Sequence, residues 1–357
     1  MPNSTEDVNQ GRGTVMSIQP ECPVFGLCGG CAYQDISYSE ELAVKEKYLT
    51  GLLIRGLNLE ENIFHPILPS SEPYHYRSRL DLTLKRTKTG GCLLGFQPQG
   101  VHQVVGVHAC PIARWEISDF LPELKIRAEA VLPDKYRTAN LVVRTGDDKR
   151  VLWGGIGKKS LVLKEKDYLW TDIRGKRIYY SLDTFFQANL TFLPRLMDQI
   201  ESLVCLDSET LFFDLYAGVG LFGIYFADRV GHVVLVEESP NSVALSRFNA
   251  AHHRLKNVEI RFGKAESEIL RIHTGRAWKR QVAIVDPPRK GLGQEAATLL
   301  ARLKTLNALL YLSCYPESLL RDLRLFIGEG WKVIRVVPLD FFPRTQHLET
   351  LVLLQPY

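Results

Sequence analysis

The sequence lacks the features that mark membrane and secreted proteins. No apolar run approaches the roughly 18 residues that a membrane-spanning helix needs. Its first stretch, MPNSTEDVNQGRG, is polar and has no apolar core of the kind found in signal peptides. We therefore expect a cytoplasmic protein that does not contact a membrane.

The sequence also lacks a large excess of one charge, and its number of cysteines is odd. The net charge is +4, from 44 Lys and Arg against 40 Asp and Glu, which permits a polyanionic partner without requiring one. An odd number of cysteines in a cytosolic chain favours metal binding or catalysis over a disulfide framework. The seven are Cys22, Cys28, Cys31, Cys92, Cys110, Cys205 and Cys314.

The length of 357 residues allows two or three domains with a buried core. We expect a flexible tail over residues 1–20, then a cysteine-bearing segment and a helix over 21–60. Apolar spacing predicts that helix at 39–57. A β-rich domain should follow at 61–175, because Leu80, Leu82 and Leu84 alternate with polar residues in a predicted hairpin.

Residues 176–357 repeat a pattern of strand, loop and helix, which predicts a parallel α/β sheet. Ligands of such sheets bind at the carboxyl ends of the strands. Four reactive or charged residues fall at predicted strand ends and should converge there. They are Asp214, Glu237, Asp286 and Cys314.

A glycine loop in this region predicts a nucleotide site. Gly218-Val-Gly220-Leu-Phe-Gly223 follows a predicted strand and opens a helix, and Glu237 lies 19 residues after Gly218. The pattern fits a dinucleotide-dependent dehydrogenase and a class I S-adenosylmethionine enzyme equally well. Asp286-Pro-Pro-Arg289 favours the second, because this turn is typical of nucleic-acid methyltransferases.

Cys314 stands where an apolar strand ends, and Pro316 follows it. A cysteine has an ordinary pKa of about 8.5, so a reactive thiol needs an electropositive setting. Arg289 and Arg344 are the candidate cations.

The remaining cysteines suggest a metal site. Cys22, Cys28 and Cys31 are followed much later by Cys110, and only one CxxC pair is present. A proline follows Cys22 and Cys110, as it follows the last cysteine of many iron–sulfur runs. Zinc and unliganded thiols remain alternatives.

Five motifs together resemble those of the RNA uracil-C5 methyltransferases, which make 5-methyluridine with S-adenosyl-L-methionine. They are FFQAN (185–189), DLYAGVGLFG (214–223), DPPRKG (286–291), SCYP (313–316) and FPRTQHLE (342–349). The resemblance covers residues 21–357. Tyr315, Leu221 and Lys264 depart from the family's pattern.

The resemblance implies a class I S-adenosylmethionine-dependent methyltransferase (Rossmann-like) domain at 176–357 and a β-rich RNA-binding domain at 61–175. It implies that Cys314 is the nucleophile and Glu349 the proton acceptor. The implied cofactor contacts are Gln187, Tyr216, Gly218, Gly220, Glu237 and Asp286. A [4Fe–4S] cluster is implied on Cys22, Cys28, Cys31 and Cys110, with Cys110 supplied by the β-rich domain.

The cysteine set resembles that of the 23S rRNA branch of this family, so we expect 23S rRNA as the substrate and a monomeric enzyme. Transfer RNA is the alternative substrate. A non-catalytic iron–sulfur RNA-binding protein is the alternative from another class, and retention of both Cys314 and Glu349 argues against it. The basic segment Arg77–Lys88 is a candidate RNA contact.

Overall fold

The computed structural model describes residues 18–100, 103–155, 168–269, 271, 277–303 and 305–357. The predicted flexible tail therefore lies almost entirely outside the described residues. Within the described part of the chain, no helix is both long enough and apolar enough to cross a bilayer.

The first helix, α1, spans Tyr38–Leu57, which confirms the prediction at 39–57. Its start is fixed by a reciprocal capping box. The Ser37 side chain accepts a hydrogen bond from the Glu40 amide, and the Glu40 carboxylate accepts one from the Ser37 amide at 2.9 Å. Asn58, in the left-handed conformation, ends the helix.

A buried ionic network holds α1 against the segment that precedes the last strand. The Lys45 ammonium donates to Glu41 Oε1 at 2.7 Å and to Asp340 Oδ1 at 2.6 Å. The Arg344 amide donates to the same Glu41 oxygen at 2.7 Å. All four residues are buried. The helix therefore turns a charged pair inward.

The β-rich region contains a five-stranded antiparallel sheet in the order β3-β2-β1-β4-β5. Its strands are β1 (Arg79–Arg86), β2 (Cys92–Phe96), β3 (Val105–Gly106), β4 (Thr138–Thr145) and β5 (Val151–Gly155). The predicted hairpin is confirmed, since β1 pairs with β2 and Leu80, Leu82 and Leu84 are buried.

A helix that the sequence analysis missed packs on this sheet. Helix α2 spans Trp115–Val131, inside a region where only strands were predicted. Its buried Ile117, Leu121, Leu124 and Ala128 have helical spacing. Pro122 within the helix and the strand-rich surroundings concealed this pattern.

The C-terminal region contains the hairpin β6 (Leu169–Ile173) and β7 (Lys176–Tyr180) and a seven-stranded sheet. The sheet strands are β8 (Thr210–Leu215), β9 (His232–Glu237), β10 (Val258–Phe262), β11 (Arg280–Val285), β12 (Ala308–Ser313), β13 (Trp331–Leu339) and β14 (Glu349–Pro356). The helices are α3 (Leu193–Leu203), α4 (Leu221–Phe226), α5 (Pro240–His252), α6 (Ala265–Ile269), α7 (Gly293–Ala301) and α8 (Pro316–Gly328).

The strand order is β10-β9-β8-β11-β12-β14-β13, and it corrects the prediction of a parallel sheet. Strands β8 to β12 are parallel, but β14 runs antiparallel between β12 and β13. The sheet is therefore mixed. This reversal pairs Ser313, the last residue of β12, with Thr350, so Glu349 begins its strand at the carboxyl end of β12.

Replacing Lys45 with Met should destabilise the protein by about 3–5 kcal/mol, because two buried carboxylates would lose their shared ammonium. Burial already raises the pKa of Glu41 to about 7. Lys45 lowers that pKa, so its removal should raise the pKa of Glu41 further. The loss should therefore be largest at alkaline pH and shrink as the pH falls and Glu41 takes up a proton. Urea unfolding over a pH series measures it.

The exposed Lys47 on the same helix provides the control, and Lys47→Met should change stability by less than about 0.5 kcal/mol. Equal losses in the two variants would contradict the role given to the buried network.

Candidate active site

The glycine loop after β8 is built for close approach of a ligand to the backbone. Tyr216, Gly218 and Gly220 all have positive φ angles. A Cβ atom at Gly220 would lie 2.8 Å from a side-chain carbon of Ile224, so glycine is needed there. The Gly223 amide at the start of α4 donates to Asp214 Oδ2 at 2.7 Å, which fixes the loop on its strand.

Glu237, the last residue of β9, lies beside this loop. One carboxylate oxygen accepts from the Gly218 amide at 2.8 Å, and the other accepts from the Ser239 amide at 2.7 Å. Each oxygen keeps a further lone pair. The two backbone amides thus fix the position and orientation of this carboxylate at the end of β9.

The segment that carries Gln187 reaches the same edge of the sheet. Gln187 Nε2 donates to Asp286 Oδ2 at 2.9 Å, and Asp286 directly follows β11. Burial raises the pKa of Asp286 to about 7. The two predicted cofactor contacts therefore lie together.

Arg144, which the sequence analysis missed, holds this segment in place. Its buried guanidinium donates to the carbonyl groups of Ser181, Thr184 and Phe186 at 2.7–3.0 Å and lies over the ring of Tyr180. Burial lowers its pKa to about 10. An arginine in a strand of a different sheet gives no local sequence signal for such a role.

Cys314 lies between β12 and α8, whose first residue is Pro316. Its thiol is half-buried. Burial, together with the charges of Glu349 and Asp286, raises the pKa of Cys314 to about 12, and the Arg289 guanidinium opposes this rise. The nucleophile candidate thus shares a site with two carboxylates and one cation.

Only one of the two predicted cations lowers the pKa of this thiol. Arg289 is the cation that acts on Cys314. Arg344 is buried elsewhere, where its guanidinium donates to the carbonyl groups of Tyr33 and Ile36. The expectation for Arg344 was therefore wrong, because its side chain anchors the N-terminal segment instead.

Glu349 is 4% exposed, and its Oε2 atom has no hydrogen-bond partner among the described residues. Burial and the nearby Asp286 carboxylate raise the pKa of Glu349 well above its usual range, and Arg289 opposes this. Buried polar atoms without partners are rare in folded proteins, so this one is a functional candidate.

His347 lies beside Arg289, whose Nη2 atom is 3.1 Å from the ring Nε2. Burial, followed by the charges of Arg289, Arg77 and Lys45, lowers the pKa of His347 to about 4. The imidazole is therefore neutral near pH 7 and can accept the hydrogen bond from Arg289.

The four cysteines of the predicted cluster line a single cavity of about 210 Å³, which Arg77 and His347 also border. The four are Cys22, Cys28, Cys31 and Cys110. Burial raises the pKa of Cys31 to about 12, and the other three thiols add to the effect. Among the described residues, no group of three or more His, Cys, Asp or Glu side chains is arranged to hold a metal ion.

The basic hairpin is partly occupied by internal contacts. Arg79 pairs with Asp81 at 2.8 Å, and Arg86 donates to the Leu132 carbonyl at 2.8 Å. RNA contact through this hairpin stays a prediction.

The comparison that decides the family is a sequence match over more than half of the chain. The model of the tRNA (uracil-5-)-methyltransferase family matches residues 151–356. The chain belongs to this family. It is thus an RNA methyltransferase that uses S-adenosyl-L-methionine.

Individual proteins agree with this assignment. An uncharacterised RNA methyltransferase of Thermosynechococcus vestitus is 30% identical over 94% of this chain and 84% of that protein. One from Thermotoga maritima is 28% identical over 94% of this chain and 84% of its own length. Family membership also removes the dehydrogenase alternative for the glycine loop.

A solved structure shares the fold. The Pyrococcus abyssi tRNA (uracil-54, C5)-methyltransferase, crystallised with S-adenosyl-L-homocysteine, superposes with a TM-score of 0.69. It is 22% identical, and the match covers 91% of this chain and 85% of that chain. The predicted Rossmann-like methyltransferase fold is confirmed.

Replacing Arg289 with Met should slow alkylation of the Cys314 thiol by iodoacetamide. The cation opposes the pKa rise of the thiol, so its removal raises that pKa further. Well below the pKa, the thiolate fraction falls about tenfold for each unit of rise. Peptide mass spectrometry over a pH series measures the rate at Cys314.

Arg302→Met is the matched control, because Arg302 is exposed and pairs with Glu329. An unchanged rate in Arg289→Met would show that this cation does not act on the thiol.

Proposed function

We propose that this protein methylates C5 of a uridine in 23S rRNA through a covalent bond between Cys314 and C6 of the base. The observation that carries the proposal is the grouping of Cys314, Glu349, Asp286 and Arg289 at the carboxyl edge of the sheet. A half-buried thiol, a buried base and a cation are the groups this reaction needs.

The chemistry explains the need for a thiol. C5 of uracil is a weak nucleophile, and addition of the Cys314 thiolate to C6 gives C5 the character of an enolate carbon. S-adenosyl-L-methionine supplies the electrophilic methyl group. Glu349 then takes the proton from C5, and the electrons of that C–H bond expel the thiolate from C6.

The electrostatics favour Glu349 over His347 as the proton acceptor. The raised pKa of Glu349 makes its carboxylate a stronger base than an exposed one. The lowered pKa of His347, about 4, makes its imidazole a weak base. His347 instead accepts a hydrogen bond from Arg289 and so helps to orient that cation beside the thiol.

The cofactor residues carried over from the resemblance fit one binding site. Glu237 would accept hydrogen bonds from the ribose, and the positive φ angles at Tyr216, Gly218 and Gly220 open the loop for the ligand. Gln187 and Asp286 would complete the site. We assign this site to a methyltransferase domain at 176–357 and RNA binding to the domain at 61–175.

We also propose that the cysteine cavity holds a [4Fe–4S] cluster. In a zinc site all four sulfurs lie about 2.3 Å from a single ion. A cubane cluster instead gives each thiolate its own iron, and four thiols around a cavity of about 210 Å³ suit that wider arrangement. The cluster would join Cys22, Cys28 and Cys31 to Cys110 and so stabilise the N-terminal segment.

Transfer RNA is the second candidate substrate. The matching family is described as acting on tRNA, and the P. abyssi enzyme of similar fold is named for uracil-54 of tRNA. The cysteine set supports 23S rRNA in this proposal. A non-catalytic RNA-binding role is disfavoured because both Cys314 and Glu349 are present and close together.

Cys314→Ala should abolish turnover, because no other thiol would be available to add to C6. RNA that contains 5-fluorouridine should form a stable covalent complex with the wild-type enzyme, since fluorine cannot leave as a proton does. Denaturing gel electrophoresis detects the complex. Cys205→Ala is the control, and a complex that persists in Cys314→Ala would assign the nucleophile elsewhere.

Glu349→Gln should still form the adduct and transfer the methyl group, but it should release product slowly because the C5 proton has no acceptor. Mass spectrometry of the trapped complex should then find a methylated RNA bound to Cys314. Normal turnover in Glu349→Gln, together with accumulation in His347→Ala, would move the role to the histidine.

Protein purified without oxygen should contain about four irons and four sulfides per chain, in line with the cluster type. Cys110→Ser should lose most of this iron, whereas Cys92→Ser should keep it, because Cys92 does not line the cavity. Stoichiometric zinc without iron would contradict the cluster.

A further inference from the structure

A stacked aromatic pair on the surface has no part in the site described above. Trp115, the first residue of α2, is 61% exposed, and its ring stacks on that of His75. The ring centroids are 3.4 Å apart and the planes differ by 16°. The imidazole covers one face of the indole, so the opposite face is open to solvent.

The pair is held rigidly. His75 has a φ angle of 53°, a left-handed conformation that is costly for a residue other than glycine and that often marks functional sites. Its amide donates to the Pro111 carbonyl at 2.9 Å, and its ring Nδ1 lies 3.1 Å from the Ala113 carbonyl. Single exposed apolar residues are common on protein surfaces and need no functional explanation. Here, however, the exposed ring is stacked on a second ring whose backbone is strained, which indicates a function.

A series of contacts links the pair to the proposed catalytic residues. Arg77 lies two residues after His75. Its carbonyl accepts a hydrogen bond from the Arg114 amide at 2.9 Å, which fixes Arg77 beside Trp115. Its guanidinium lies 5.9 Å from the ring centroid of Phe342, and that ring lies 6.2 Å from the ring of His347.

Arg77 supplies a positive charge near the stack. No carboxylate of the described residues lies within ion-pair distance of Arg77. The Arg114 guanidinium is neutralised by Glu116 at 3.4 Å and Asp147 at 3.0 Å. Arg77 is thus the cation near the stack that can attract a negatively charged partner.

We propose that Trp115 and His75 form a stacking platform for an unpaired base of the RNA substrate, near the uridine that is methylated. The platform rests on the proposed function, since its occupant is that RNA. An open indole face accepts any base, so it should add affinity and orientation without selecting a base. A phosphate next to that base would face Arg77.

Tryptophan fluorescence tests this with short oligouridylate as the probe. Trp115 is the most exposed of the five tryptophans, so wild-type emission should be quenched when the RNA binds. Trp115→Phe should lose most of the quenching and keep most of the affinity, because it retains a ring. Trp115→Ala should weaken binding about 5- to 150-fold, as expected for loss of one stacked base.

Ile126→Ala is the control, because Ile126 is 69% exposed on the same helix. Unchanged affinity in Trp115→Ala, or an equal loss in Ile126→Ala, would overturn the platform. At subsaturating 5-fluorouridine RNA, Trp115→Ala should form the Cys314 adduct more slowly than wild type, whereas Ile126→Ala should form it at the wild-type rate. If wild type forms no adduct, the proposed function fails, while the quenching result still decides the platform.

Discussion

The placement of Glu349 near Cys314 depends on one topological constraint, the antiparallel course of β14 between β12 and β13. Because of it, the strand that begins with Glu349 starts where the strand before Cys314 ends. The segment between β13 and β14 must then return over the carboxyl edge of the sheet. Lys45 of α1 donates to the Phe342 carbonyl in that segment, and Arg344 of the segment donates to Glu41 and to the Ile36 carbonyl. These contacts fix the path of the segment and join it to α1.

The electrostatic character of the site follows from this packing. Burial raises the pKa values of Cys314, Glu349 and Asp286 together, and Arg289 is the cation that opposes the effect at Cys314 and Glu349. A thiol in such a setting is mainly protonated when the site is empty. The positive sulfonium of S-adenosyl-L-methionine would add a second cation, so thiolate formation should be coupled to cofactor binding.

Patterns that depend on neighbouring residues could be predicted from the sequence. The alternation of Leu80, Leu82 and Leu84 gave the hairpin, and the ends of apolar runs gave the positions of Asp286 and Cys314. The convergence of these strand ends is confirmed by their mutual electrostatic effects. The catalytic and cofactor roles rest on the family resemblance and stay proposals.

Features that depend on distant residues could not be predicted. The reversal of β14, the bond between Lys45 and Asp340 and the support that Arg144 gives to the Gln187 segment all join parts of the chain far apart in sequence. Helix α2 was missed for a local reason, because Pro122 interrupts its helical pattern. Arg344 was misjudged because proximity to Glu349 in sequence did not bring its guanidinium to Cys314.

The most direct test of the account is a map of 5-methyluridine in 23S rRNA and tRNA from cells with and without this protein. Mass spectrometry of RNA fragments should show one or more 23S sites that lose the methyl group when the protein is absent. Wild-type protein should restore the modification, and Cys314→Ala should not. A modification confined to tRNA would move the substrate to the second candidate, and unchanged 5-methyluridine in both RNAs would contradict the account.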